Sequence, residues 1–271
     1  MASVFVNGLP QQQINPLDRG LAYGDGAFAT MRVLQGKVLF IDEHIERLQQ
    51  ACLRLGFALQ NQLELINQLE QHGQVLNQGC IKILISRGVG GRGYSAPDIV
   101  EQTSVISLHD IPAHYQQWQL QGISLSLAAI SLARQPILAG MKHLNRLEQV
   151  LIKQNLLPQG CDDWLVLDTD GNVVESSMAN VFIVEGQNVY TPAISHSGVS
   201  GVMRQQVIIA LLENNINVYA EPISLSRLKQ ADHVFISNSL LGVVNINHLD
   251  DNQYSSWPMS HNLIKQLQLS L

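Results

Sequence analysis

In the stretch AGMKHLNRLEQV, Lys142 falls between an apolar strand and a helix that should start near Asn145. A lysine at such a junction either lies solvated on a loop, the ordinary state of the residue, or projects from a sheet end into a cleft, where its amine can act as nucleophile or base. Glu175 stands in NVVESSMANVF beside Val173 and Val174. It is either an exposed acid on the polar side of a strand or a partly buried carboxylate that needs a cationic partner. In SGVSGVMRQQV, Gly198 and Gly201 lead into a helix beginning near Met203. This is an ordinary glycine-containing loop, or a helix start whose N–H groups favour an anion such as phosphate. Arg47, in EHIERLQQA, borders the apolar side of a helix. Its guanidinium either stays at the surface or reaches inward to a phosphate. Ser237, Asn238 and Ser239 follow the apolar strand HVFI. Small polar side chains at a strand end cap turns, and they also bind phosphate oxygens.

These residues need elements to position them. SVFVNG reads as a strand with a turn at Asn7-Gly8, and DRGLAYGDGAFATMRVLQGKVLF as a loop, a strand over Ala27–Leu34, a tight turn at Gln35-Gly36 and a second strand. Asp42 looks like the N-cap of a helix with Ile45, Leu48, Cys52 and Leu55 at helical spacing, closed by Gly56. A second helix puts Leu63, Ile66 and Leu69 on one face and stops at Gly73. CIKILIS and TSVISLH read as strands around the glycine-rich loop RGVGGRGYSAPD. Beyond Gln119 strands dominate: GISLSLAAIS, the meander DDWLVLD, NVVESS, NVFIVE and NVYTP with a turn at Asp170-Gly171, then NVYAEPIS, HVFISNS and GVVNI. NRLEQVLIKQNLL, MRQQVIIALLENN and a short tail read as helices. The expected organisation is α+β: an N-terminal domain over 1–114, a linker at 115–120, and a barrel-like C-terminal domain over 121–271 that carries the lysine.

Composition narrows the function. Of 271 residues, 46% are apolar, ample for a core, and only 14% are charged, which hints at apolar surface covered in an oligomer. The net charge is −6 with Lys and Arg scattered, so nucleic acid is not an expected partner. The N-terminus lacks the basic and apolar regions of a secretory signal, and the run from Gly122 to Ala133 is too short for a bilayer. Three separated cysteines and nine scattered histidines form neither a disulfide framework nor an HxxxH or CxxC metal set. A soluble cytoplasmic protein without a metal is the expectation.

The order of the motifs carries more than any one of them. YGDGAFATMRV, HIERL, KHLNRLEQVL, VESSMANVF, GVSGVMRQ and ISNSLLGV occur in sequence. Over nearly its whole length the chain resembles the class IV aminotransferase-like family of pyridoxal-phosphate enzymes. SRGVGGRGYS, the segment Pro112 to Tyr115 and LAGMKHLNRLEQVLI are most similar to the lyase subgroup of that family. The resemblance implies the two-domain fold type IV (D-amino acid aminotransferase-like), with a small α/β domain and a larger barrel-like β domain with helices. It also implies pyridoxal 5'-phosphate as cofactor, a small-molecule substrate and a homodimer.

The resemblance assigns roles to matching positions. Lys142 would carry the cofactor as a Schiff base and shuttle protons, and Glu175 would pair with the pyridine nitrogen. Arg47 would bind the phosphate, helped by the N–H groups of Val202 and Met203 and by Ser239. The implied lyase substrate is a dianion. Arg92, in the glycine-rich loop, is the candidate for a carboxylate contact, since guanidinium binds carboxylate bidentately. Tyr94, Asn238 and Arg146 are further pocket candidates, with a structural role as the alternative for Arg146. The sequence departs from many relatives at three places: Arg146 replaces a tyrosine that touches the cofactor in aminotransferases, Met203 replaces a threonine, and Ala29 stands where many carry glutamate. A transaminase of branched-chain or D-amino acids on the same fold, and a cofactor-binding relative without activity, are the competing readings.

Overall fold

Alternating apolar residues build the first sheet. The computed structural model describes residues 3–11 and 13–271. Strands β1 (Val4–Val6), β2 (Gly26–Leu34), β3 (Lys37–Val38), β4 (Gly79–Ser86) and β5 (Thr103–His109) pair antiparallel in the order β1-β5-β4-β2-β3. Ala27, Ala29 and Met31 of β2 stand opposite Ile85, Ile83 and Ile81 of β4, and all six are buried, so they share one dry face. Helix α1 (Arg19–Tyr23) precedes β2. Helix α2 (Ile41–Arg54) packs on β2, and α3 (Gln62–Leu76) packs on β3 and β4.

Two helix boundaries differ from the sequence reading. Asp42 lies inside the first turn of α2, where a carboxylate suits the helix dipole, and Phe40, in a left-handed conformation (φ 56), is the N-cap. Helix α3 runs through Gly73 to Leu76. Gly73 is there for closeness, since a Cβ would press on Val38 at 2.9 Å and on the Gly36 carbonyl at 3.0 Å. The buried face of α3 is therefore Leu65, Leu69 and Gly73, while Leu63 is exposed.

The chain forms two compact units. The first comprises the described residues up to Ile111 together with Met141–Arg146, and the second comprises Pro112–Gly140 and Leu147–Leu271. Residues 115–120 are not a linker: they lie in α4 (His114–Gln121), held by ring contacts among His114, Tyr115 and Trp118. Lys142, expected in the C-terminal domain, groups with the first unit.

The second unit is a nine-stranded sheet of β6 (Ile123–Leu127), β7 (Asp163–Leu167), β8 (Val173–Ser176), β9 (Asn180–Glu185), β10 (Asn188–Pro192), β11 (Asn217–Glu221), β12 (His233–Asn238), β13 (Gly242–Leu249) and β14 (Asn252–Gln253). From β9 the pairing runs through β12, β13, β6, β7 and β8 and returns to β9, which closes a barrel. Phe182 and Phe235 stack within its core at 4.7 Å. Helices α5 (Leu147–Gln154), α6 (Val202–Glu213), α7 (Leu225–Gln230) and α8 (Met259–Gln266) complete the unit, with α6 packed on β12 and α8 on β13. No helix among the described residues is long and apolar enough to cross a membrane.

Candidate functional site

Lys142 is positioned by the edge of β2. Phe28 N–H donates to the Lys142 carbonyl at 2.9 Å and Leu144 N–H to the Gly26 carbonyl at 3.0 Å, with Ala27 and His143 bridged antiparallel between them. Alternation then sends Lys142 to the side of Phe28, and its Nζ lies 4.6 Å from that ring's centroid. Lys82 Nζ lies 5.1 Å from the same ring. Two glycines of the YGDG motif seat the segment. Gly24 has φ 64, and a Cβ there would overlap the side chain of Asn145, whose Nδ2 donates to the Gly24 carbonyl at 3.1 Å. A Cβ on Gly26 would overlap the Ile85 carbonyl and press on Leu144 Cδ1.

Cationic and neutral-imidazole groups surround this segment. Arg146 Nε donates to the His143 carbonyl at 3.0 Å and Nη2 to the Met141 carbonyl at 2.7 Å. Burial, then the Arg146 charge, pushes Arg47 down to about 10, and the same two causes push His143 down to about 4. His44, one helical turn before Arg47, is fully buried, and neither ring nitrogen has a hydrogen-bond partner among the described residues. Burial above all, with the charges of Arg47 and Lys142, holds its pKa well below the ordinary value, so the ring is neutral. Sequence reasoning had placed Arg47 correctly beside an apolar face but gave His44 no role. Its only signal was its position three residues before Arg47 in HIERL.

The glycine-rich loop is built differently. Arg19, 5% exposed, donates from Nη1 to the carbonyls of Gly90, Gly93 and Ser95 and from Nη2 to that of Tyr94. Its Nε pairs with Asp25 at 2.8 Å, and Arg87 pairs with the same carboxylate oxygen at 2.7 Å. Burial alone would raise the Asp25 pKa, but hydrogen bonds and charge from Arg87 and Arg19 leave it below the usual carboxylate value. Arg92 and Tyr94 ride on this loop as exposed side chains, and the Tyr94 ring lies 5.5 Å from that of Tyr23.

In the second unit a row of polar side chains crosses three strands. Glu175 on β8 faces Asn180 on β9, which faces Ser237 on β12, and opposed residues of antiparallel pairs share a face. All three are buried. Glu175 Oε2 accepts from Val199 N–H at 3.0 Å, and Asn180 Nδ2 donates to the Val199 carbonyl at 2.8 Å. Ser237 Oγ has no hydrogen-bond partner among the described residues. Val199 leads through Ser200 to Gly201, the N-cap of α6, which brings no capping side chain of its own, so the first-turn N–H groups belong to Val202 and Met203. Gly140, two residues before Lys142, bonds within this unit to Gly198 and Ser200. The row was not read from the sequence, because register across strands is invisible there.

The expected site residues thus fall in two sets. Lys142, Arg47, Arg146, Arg92 and Tyr94 belong to the first unit, and Glu175, Val202, Met203, Asn238 and Ser239 to the second. Asn238 is occupied locally: its Oδ1 accepts from Leu240 and Leu241 N–H, and its Nδ2 donates to the Met178 carbonyl, which fixes the turn bearing Ser239. Burial raises the thiols of Cys52 and Cys80, to about 12 and about 11, so they are not activated nucleophiles. Among the described residues no group of three or more His, Cys, Asp or Glu could hold a metal ion.

The model of the amino-transferase class IV family matches residues 26–249. The chain is 38% identical to the aminodeoxychorismate lyase of Vibrio harveyi over 88% of each chain. It is 28% identical to a putative branched-chain-amino-acid aminotransferase of Methanocaldococcus jannaschii, over 91% of this chain and 88% of the relative. The crystal structure of 4-amino-4-deoxychorismate lyase from Pseudomonas aeruginosa superposes with a TM-score of 0.92 at 33% identity, covering 99% of this chain and 100% of that one.

Proposed function

The chain belongs to the amino-transferase class IV family, and from that premise we propose that it is a pyridoxal-phosphate-dependent lyase. It would convert 4-amino-4-deoxychorismate to 4-aminobenzoate and pyruvate, acting as a homodimer in the cytoplasm. The observation that carries this reading is the seating of Lys142 by Leu144 and Asn145 against Gly26 and Gly24. It occurs in a chain 38% identical to a lyase over 88% of its length.

Each unit, taken by itself, offers groups of the kind the cofactor needs. Arg47 offers a desolvated guanidinium for a phosphate, α6 offers the N–H groups of Val202 and Met203, and the buried Ser237 Oγ lacks a hydrogen-bond partner among the described residues. Ser239 is a further phosphate candidate. Glu175, buried and oriented by Val199 N–H, is the carboxylate for a protonated pyridine nitrogen. When bound, pyridoxal phosphate supplies the electron sink.

Lys142 does the proton chemistry. Its Nζ would hold the cofactor and, as a free amine, would take the proton from the substrate carbon that bears nitrogen. A proton is returned to the methylene of the departing enolpyruvyl group, which leaves as pyruvate while the ring becomes aromatic. Arg92 would hold one substrate carboxylate, with Tyr94 beside it on the same loop.

Purified Lys142→Ala should lose at least about 1,000-fold in the release of 4-aminobenzoate and pyruvate, the loss expected when a positioned base is removed. Full activity in that variant would sink the reading. A transaminase is the second reading, favoured by the 28% identity to a putative branched-chain enzyme. Rapid amino-group exchange between an amino acid and a 2-oxo acid, with no pyruvate from aminodeoxychorismate, would establish it instead.

A further inference from the structure

We infer that Arg146 is a positioning residue for Lys142, gripping the backbone on both sides of it, and not a contact for a substrate carboxylate. The inference deepens the lyase reading and rests on it only for the substrate used in the assay.

The backbone around Lys142 explains the grip. The Lys142 carbonyl is taken by Phe28 N–H at the edge of β2. Among the described residues, no backbone N–H donates to the carbonyls before and after it, of Met141 and His143. Arg146 stands in for such a donor: Nη2 meets the Met141 carbonyl at 2.7 Å and Nε meets the His143 carbonyl at 3.0 Å. Three consecutive carbonyls are therefore fixed, so the direction in which the lysine stem leaves the backbone is fixed too. A buried or half-buried carbonyl without a donor is costly, which gives the arginine a reason to stay.

The residue type matters. A guanidinium presents Nε–H and Nη2–H as a rigid fork, so one side chain can hold two acceptors in a set relation, which a lysine ammonium on a flexible stem does not do. The anchor is also local, three residues from one acceptor and five from the other. Its charge is not neutralised by the two carbonyls, and it contributes to the lowered values of His143 and Arg47. An arginine that already directs Nε and Nη2 at backbone oxygens no longer has that edge of its fork for a bidentate carboxylate.

The test compares wild type, Arg146→Met and Arg146→Lys, each loaded with pyridoxal phosphate. Two quantities are read: kcat and KM for 4-amino-4-deoxychorismate, and the rate at which hydroxylamine releases the cofactor from Lys142. Borohydride reduction and peptide mass give occupancy of Lys142 in each protein. In Arg146→Met, kcat should fall about 100-fold, as for a small misplacement of a catalytic group, with KM changed by less than about threefold. Hydroxylamine release should be faster, and Arg146→Lys should recover only part of either property. A KM raised about tenfold or more with kcat retained would assign Arg146 to the substrate and overturn the inference. Unchanged kcat and unchanged hydroxylamine release would overturn it as well. Should Arg146→Met fail to fold, Arg146→Gln, which keeps amide donors without the charge, is read by the same criteria. If wild type releases no pyruvate, the lyase reading fails alone, and the hydroxylamine rates still decide the role of Arg146.

Discussion

The Lys142 segment and the glycine-rich loop are both irregular stretches of the first unit, and each is held by one arginine acting on backbone carbonyls. They differ in reach. Arg146 bonds carbonyls three and five residues away, whereas Arg19 bonds four carbonyls 71 to 76 residues away. They differ also in support. Arg19 is oriented by Asp25, which Arg87 shares, and Arg87 in turn donates to the Leu55 carbonyl at the end of α2 at 2.6 Å. The lysine segment is thus stiffened from within, beside the residue proposed to do the chemistry. The loop is stiffened from the body of the unit, leaving Arg92 and Tyr94 exposed on its outside. A fixed backbone with an exposed side chain at its tip suits a residue that must find a ligand, and a bracketed backbone suits one that must stay aligned with it.

This contrast makes the two devices separable by mutation. Asp25→Asn should have the largest effect on stability, about 3–5 kcal/mol by denaturant unfolding, because two buried guanidiniums lose their counter-charge. Borohydride trapping at Lys142 should nevertheless reach the wild-type extent in the folded variant. If trapping falls in proportion, the two devices are not independent and the contrast breaks. Arg19→Met should act on the loop alone: KM for the dianionic substrate rises about tenfold with kcat within about threefold, and trypsin cuts faster after Arg92. A cleavage rate equal to that of wild type would show that the four carbonyl bonds do not hold the loop.

The smallest effect is a pH effect on the lysine segment. His143 is lowered to about 4 in the folded chain from an ordinary 6.5. The unfolded chain binds more protons between those values, so the contribution of His143 to stability is present above 6.5 and lost as the pH falls toward 4. Reduced for partial exposure, it is roughly 1 kcal/mol. Urea unfolding at pH 7 and at low pH should show a smaller acid loss in His143→Gln than in wild type. Equal losses would place the acid sensitivity elsewhere, with buried His44 the next group to replace. Asp25, lowered below 3.8, stays charged through this window.

Local pattern was legible and long-range geometry was not. The strands β5, β9 and β10 coincide with TSVISLH, NVFIVE and NVYTP, since alternation and β-branched residues act within a few positions. The place of Arg47 beside Ile45 and Leu48 was legible because helical spacing alone sets it there. Gly73 was misread as a stop because glycine is also chosen for close packing, and the hairpin it packs on lies more than thirty residues away. The Glu175–Asn180–Ser237 row depends on strand register, and the Arg19 contacts on a loop distant in sequence. For the same reason Lys142 was assigned to the wrong side of the domain division: its neighbours in sequence are strands and helices of the second unit, but its backbone partner is Phe28.

That partnership sets an order of events during synthesis. The first unit is interrupted: the chain leaves it at Ile111 and returns only for Met141–Arg146. As the protein emerges from the ribosome, β2 can pair with β4 early, while the edge at Gly26–Phe28 has nothing beside it until Lys142 and Leu144 have been made. The last piece added to the first unit is then the one that carries the Lys142 amine, so a chain stopped short of residue 142 would display a bare strand edge and no lysine beside it.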